Sequence, residues 1–148
     1  MDQELLAVLL SAAISLSGLP PISADELPAI VRVSHEEMKR EVCPRDPASC
    51  KGIAAIFEPD RQRILIDNAL NLDLTDDNSF VVHELVHVLQ FRQFRQYGSL
   101  MYANCAASMN TEAQAYQVQN AYLKREGRLI RFYQRLAFAG CRRADRVF

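Results

Sequence analysis

The feature that most constrains this chain of 148 residues is a pair of histidines four positions apart, His83 and His87, with Glu84 directly after the first. Residues four apart lie on one face of an α-helix, so both imidazoles can point at the same place. The neighbouring residues are apolar on nearly every other face: Val81, Val82, Leu85, Val86, Val88 and Leu89. Such a helix is buried, and buried imidazoles beside a carboxylate are costly unless a partner satisfies them. The segment therefore predicts a metal-binding helix; the alternative is a pair of core histidines without metal.

Imidazoles favour zinc, and a catalytic zinc site has three protein ligands and an open fourth position. The chain has three histidines, and none follows His87. A third histidine at the metzincin spacing is excluded, because Gln90 and Gln93 occupy the positions of its glycine and histidine. The third ligand is therefore expected to be a carboxylate. The same donors also bind cobalt, iron or manganese.

The carboxylates that follow the motif are Glu112, Glu126 and Asp145. Glu126 lies in a charged run typical of an exposed helix end, and Asp145 lies in an arginine-rich tail. Glu112 lies near the start of a predicted helix among small residues that permit close helix packing. We predict that His83, His87 and Glu112 bind zinc; the alternative role of Glu112 is a favourable negative charge at a helix N-terminus.

With this ligand set the sequence resembles the gluzincin metallopeptidases, in which a glutamate from the following helix joins the two HExxH histidines. The resemblance covers about residues 53–125 and implies a compact zincin-like fold and peptide-bond hydrolysis. Glu84 is then the general base that takes a proton from a zinc-activated water, and a peptide or protein is the substrate. In that family a sheet edge beside the active-site helix binds the substrate as an added strand, so 53–57 or 63–67 is the candidate here.

Two positions depart from the thermolysin-like pattern, which has Asn before the glutamate and Asp four residues after it. Here these are Thr111 and Tyr116. The usual carboxylate that orients a ligand histidine is therefore missing. Tyr116 follows Glu112 by one helical turn, which makes it a candidate catalytic residue or a packing residue. These departures keep open an alternative function: an exported zinc-binding domain whose gluzincin-like site is catalytically weak, latent or inactive.

Four cysteines stand at positions 43, 50, 105 and 141, and none forms a CxxC pair. An even number suggests two disulfides, and we prefer Cys43–Cys50 with Cys105–Cys141 among the three possible connectivities. Disulfides persist in oxidising compartments, so this predicts a periplasmic or secreted protein. The alternative is four buried free thiols in a cytosolic protein.

A net charge of −1 and an ordinary composition give no reason to expect nucleic acid or a membrane surface as partner. The apolar run that begins at Leu5 is interrupted by serines, Gly18 and prolines and is too short to span a bilayer. It follows an acidic start, whereas a signal peptide starts basic. We interpret it as the first helix of the mature protein. The oligomeric state is left open.

The remaining patterns predict one domain over residues 1–148 with an α+β fold, mostly helical, in which a small sheet packs on the active-site helix and the following glutamate helix. Expected helices cover about 3–17, 35–42 after a Ser34 cap and 79–96. A fourth helix is expected to follow a cap at Asn110 or Thr111 and reach about Lys124, and a last one covers 129–139. Expected strands cover 30–33 and a hairpin of 53–57 and 63–67.

Overall fold

A computed structural model describes residues 1–49, 52–96 and 104–133. In this part the chain forms four α-helices and three β-strands: α1 (Gln3–Ser17), β1 (Ala29–Val33), α2 (His35–Val42), β2 (Ala55–Glu58), β3 (Arg63–Asp67), α3 (Thr75–Gln96) and α4 (Cys105–Arg125). Short 3-10 turns cover Ala24–Glu26 and Pro47–Ser49. The α+β class is therefore confirmed.

Local capping explains the bounds of the first two helices. The Asp2 side chain accepts a hydrogen bond from the Glu4 N–H at the start of α1, which ends at Gly18 in the left-handed conformation with φ 69°. The Ser34 side chain accepts from the Glu37 N–H at the start of α2. Both helices match their predicted ranges, because these caps are local signals.

The sheet has the order β1-β3-β2, with β1 parallel and β2 antiparallel to the central strand β3. The predicted hairpin of β2 and β3 is therefore confirmed. Three consecutive residues of β3 are fully buried, Ile64, Leu65 and Ile66, because the central strand is covered on both faces. Within the described residues β2 is paired on one side only, so it forms an edge of the sheet.

Helix α3 is the centre of the fold and packs against α1, α4 and β2. It begins at Thr75, four residues before the predicted start, and the Asn78 N–H already donates to the Leu74 carbonyl. Asp76 and Asp77 therefore lie in its first turn, where negative charge is favourable. Leu9 of α1 lies in the same hydrophobic core as α3 and α4.

Helix α4 differs from its predicted range at the N-terminal end. It begins at Cys105 rather than at residue 110 or 111, because the Asn104 side chain caps it by accepting from the Ala107 N–H at 2.8 Å. It ends before Gly127, which has φ 77°, and the Arg128 N–H donates back to the Leu123 carbonyl.

The helix predicted over 129–139 is wrong for residues 129–133, which form neither helix nor strand. The main chain of Phe132 bonds to the side chain of Asn120 instead of to a helical neighbour. Residues 134–139 lie outside the described part of the chain.

Cys50 and Cys141 also lie outside the described residues, so both preferred disulfides stay predictions. Among the described helices, none is both long enough and apolar enough to cross a membrane.

We expect Leu9→Ala to lower the free energy of unfolding by about 2–5 kcal/mol, because the side chain is fully buried against α3 and α4. The control is Val8→Ala, whose side chain is 60% exposed and whose replacement should change the stability by less than about 0.5 kcal/mol. Urea unfolding at fixed metal concentration measures both. Equal effects of the two substitutions would show that α1 is not part of the core.

Candidate metal centre

The two histidines of the motif lie on one face of α3 and turn their Nε2 atoms toward each other. These atoms are 3.2 Å apart, and both rings are buried. The ring centroids are 4.9 Å apart at an interplanar angle of 75°. The helical spacing of His83 and His87 thus produces the convergence that the sequence predicts.

Glu112 enters this cluster from α4. Its Oε1 lies 2.6 Å from the His87 Nε2, and its Oε2 lies 3.2 Å from the His83 Nε2. Zinc bonds of about 2.0–2.2 Å in tetrahedral geometry separate neighbouring ligand atoms by roughly 3.3 Å. Two nitrogens and a carboxylate at these separations are a donor set that fits zinc, so His83, His87 and Glu112 could hold the ion.

Glu84 is the second carboxylate near the histidines. A ligand atom of Glu84 lies within 4.8 Å of those of both histidines, so Glu84 could also be counted as a metal ligand. Its Oε2, however, accepts a hydrogen bond from the Phe57 N–H of β2 at 2.8 Å. Glu112 contacts both Nε2 atoms directly, whereas Glu84 is held toward the sheet. The arrangement therefore favours Glu112 as third ligand and leaves Glu84 beside the ion.

A buried glutamine orients His83. The His83 Nδ1 lies 2.9 Å from the Gln119 Oε1, and the Gln119 Nε2 donates to the Ser79 hydroxyl oxygen. The Ser79 hydroxyl donates its own proton to the Asp76 carbonyl, so the hydroxyl oxygen is free to accept the bond from Gln119. The chain of bonds directs the amide oxygen toward the imidazole, which requires a proton on Nδ1 and leaves Nε2 able to bind a metal.

A second buried glutamine orients His87 in the same way. The His87 Nδ1 lies 2.8 Å from the Gln90 Oε1. The Gln90 Nε2 donates to the Thr111 carbonyl and to the Gln114 Oε1 of α4. Gln90 therefore positions the imidazole and also ties α3 to α4.

The orienting role of these two glutamines, each only 1% exposed, was not predicted from the sequence. The gluzincin resemblance implies a carboxylate in this role, and none is present at the corresponding position. A usable signal was present in the spacing. Gln90 follows His87 by three residues, and Gln119 follows Glu112 by two helical turns, which places each on the face of its helix that carries a ligand.

Tyr116 lies beside this cluster. Its ring meets the His83 ring edge to face, with centroids 4.6 Å apart at 72°. Its position one helical turn after Glu112 predicted that it faces the metal site. His35, by contrast, stands apart from the metal cluster and pairs with the buried Asp67 at 2.7 Å, with half of its own side chain exposed.

Burial and close pairing shift the pKa values of the cluster. Burial raises the pKa of Glu84, against the opposing effect of the two histidines. Burial lowers the pKa of His87, but the hydrogen bond and charge of Glu112 and the charge of Glu84 outweigh it and raise this pKa to about 8. Burial would raise the pKa of Glu112, yet the bonds from both histidines hold it well below its ordinary value. Without a bound ion, His87 is therefore mostly in its doubly protonated, positively charged form at neutral pH.

Replacement of Gln119 by Leu should weaken metal binding about 10–100-fold, because His83 loses the group that fixes its tautomer and orientation. The matched control is Gln117→Leu, two residues away on the exposed side of α4, which should leave affinity unchanged. Competition with a chelator of known affinity gives both constants. Equal affinities for the two variants would contradict an orienting role for Gln119.

Metal affinity should fall as the pH drops below about 8, because the ion must displace the proton of His87. The decline approaches about tenfold per pH unit for one displaced proton and levels off above this pKa. Chelator competition between about pH 6 and 9 measures the slope, and calorimetry in two buffers counts the released protons. A constant affinity over this range would show that His87 is already neutral.

The profile of the family described as Domain of unknown function (DUF6647) matches residues 5–145 of the chain. No curated protein and no solved structure matches it. Because the family match covers nearly the whole sequence, the chain belongs to the DUF6647 family.

Proposed function

We propose that this protein is a zinc-dependent metallopeptidase that hydrolyses peptide bonds. The observation that carries the proposal is the convergence of the His83 and His87 Nε2 atoms with the Glu112 carboxylate at 2.6–3.2 Å. A second carboxylate, that of Glu84, lies beside them without contacting the same atoms. Three ligands and one adjacent acid are the parts that metal-assisted hydrolysis requires.

The three ligands and Glu84 have separate roles. His83, His87 and Glu112 hold the zinc, which when bound supplies a Lewis acid that acidifies a water and polarises the carbonyl to be attacked. The buried Glu84 takes the proton of that water and passes it to the leaving amine nitrogen. Because the Phe57 N–H holds Oε2, we assign the proton to Oε1.

The edge of β2 is the proposed binding surface for the peptide. The Phe57 N–H points toward Glu84 rather than toward β3, and in a strand the main-chain groups of Ala55 have the same direction. An extended peptide can pair with this edge beside Glu84. Of the two segments that the sequence left open, 63–67 is the central strand, so the segment around 55–58 is our candidate.

Tyr116 is the proposed further catalytic residue. Its ring lies against His83, one helical turn from Glu112, and its hydroxyl would donate a hydrogen bond to the carbonyl oxygen of the peptide bond under attack. We also propose that the protein is periplasmic or secreted and that the two predicted disulfides cross-link it.

The alternative is an exported zinc domain with a weak, latent or inactive site. The position of Glu84 argues against it, because this carboxylate is 8% exposed and its burial is unfavourable. A purely structural zinc site does not need such a group and has four protein ligands. We therefore assign Glu84 a catalytic role.

Two substitutions distinguish the metal-ligand role of Glu112 from the general-base role of Glu84. Glu84→Gln should keep one equivalent of zinc and lower peptide turnover by about 10²–10⁴-fold, because the proton acceptor is lost. Glu112→Gln should lose most of the zinc, since a charged ligand is replaced by a weak neutral one. Zinc content by atomic spectroscopy and cleavage of a peptide library measure both effects.

Glu126→Gln is the control, because Glu126 follows the C-terminal end of α4, is exposed and lies outside the cluster. It should keep both zinc and turnover. Turnover retained in Glu84→Gln would contradict its role as base, and zinc retained in Glu112→Gln would contradict the ligand set. Zinc-loaded wild type without any cleavage of the library would favour the inactive alternative.

A further inference from the structure

Asn120 of α4 binds the main chain of a distant segment through both ends of its amide. Its Nδ2 donates to the Phe132 carbonyl at 2.7 Å, and its Oδ1 accepts from the Phe132 N–H at 2.8 Å. These are the two bonds that one residue exchanges with its partner in an antiparallel β-ladder. The side chain therefore recognises an extended main chain, whatever the side chain attached to it.

This contact lies next to the metal cluster. Asn120 follows Tyr116 by one helical turn, and the Tyr116 ring contacts His83. On the other side, the Phe132 ring packs on Phe80 with centroids 4.9 Å apart, and Phe80 precedes His83 by one turn of α3. The residue that Asn120 holds therefore packs about one turn of α3 away from His83.

A cavity of about 650 Å³ opens along α4 at this place. It extends from Ala113, the neighbour of Glu112, past Tyr116 and Asn120 to Phe132 and Tyr133. Cavities of this size accommodate ligands of several hundred daltons. The groove thus lies between α4 and the segment 128–133 and passes Tyr116, whose ring contacts His83.

Among the described residues, the segment 128–133 is largely exposed. Leu129 is 98% exposed, and Tyr133 is also largely exposed. Arg128 anchors its start through a pair of bonds to Asp76 of 2.7 and 3.0 Å, but this ion pair lies at the surface. Within the described residues, the segment is also held by the bond of the Arg128 N–H to the Leu123 carbonyl, by the Asn120 amide and by the Phe132 ring. Because most of these contacts lie near the surface, we expect the segment to be displaced more easily than a packed helix or strand.

We propose that Asn120 is the main-chain recognition residue of a peptide-binding subsite, and that Phe132 of the chain itself occupies this subsite. The inference deepens the proposed function, on which it rests, by assigning the substrate class: an extended peptide with an aromatic or large apolar side chain directed at Phe80. The segment 128–133 competes with this peptide from within the same molecule, at a high effective concentration.

The test measures binding of a labelled peptide with the sequence of residues 128–133, Arg-Leu-Ile-Arg-Phe-Tyr, by fluorescence anisotropy. The full chain carries Glu84→Gln so that the probe is not cleaved, and titrations are run with and without added zinc. In this background Phe132→Ala should raise the affinity at least about tenfold, because the internal competitor loses its ring contact with Phe80. Addition of Asn120→Leu to Phe132→Ala should abolish the gain.

Arg128→Gln is a second way to release the segment, from an anchor outside the Asn120 contact, and should also raise the affinity. Arg125→Gln is the control, because Arg125 is exposed, pairs with Glu126 and does not line the groove. Unchanged or weaker binding in both Phe132→Ala and Arg128→Gln would overturn the proposal. So would a gain that survives Asn120→Leu.

The readout is binding rather than turnover, so the two proposals fail separately. A protein without peptidase activity that still binds the probe in this pattern would retain the Asn120 subsite and lose the catalytic assignment. An active peptidase without this pattern would retain the catalytic assignment, and residues 128–133 would then have a packing role only.

Discussion

The packing of α3 against α4 is the contact on which the rest of the site depends. It brings Glu112 to the two histidines and places the Tyr116 ring beside His83. Direct hydrogen bonds between the helices accompany it, from Gln90 to the Thr111 carbonyl and from Gln119 to Ser79. Any shift of one helix along the other would separate the candidate ligands and break these hydrogen bonds together. The geometry of the cluster therefore depends on the α3–α4 interface.

The use of glutamines to orient the histidines follows from the charges already present. Glu84 and Glu112 are two carboxylates within one largely buried cluster. A third carboxylate at the position of Gln90 or Gln119 would add another buried negative charge, which a low-dielectric interior disfavours. An amide oxygen accepts the Nδ1–H without that charge, although it makes the imidazole a weaker base than a carboxylate partner would.

Two surfaces that we propose to bind an extended chain lie near the candidate metal centre. The edge of β2 is joined to the cluster by the bond between the Phe57 N–H and Glu84, and the groove along α4 is lined by Tyr116, whose ring contacts His83. Both surfaces offer hydrogen bonds to the main chain of a bound segment, and these bonds form regardless of that segment's side chains. In our proposals the site selects a substrate mainly for an extended main chain. Its second criterion is an aromatic or large apolar substrate side chain that packs against Phe80.

The sequence by itself determined the parts that depend on local periodicity and composition. The spacing of His83 and His87 placed both on one helical face, the scarcity of later carboxylates singled out Glu112, and the caps set the ends of α1 and α2. It did not show that 55–58 is the sheet edge, that Gln90 and Gln119 orient the histidines, or that residues 129–133 leave the helical path. The sheet edge, the Gln119 contact and the path of residues 129–133 depend on partners distant in the chain. Gln90 is close to His87 in sequence, but its amide is held by Thr111 and Gln114 of α4. Only the tertiary structure decides which distant groups meet. The Asn120 amide shows the reason: its bonds to the Phe132 main chain override the helical preference of that segment.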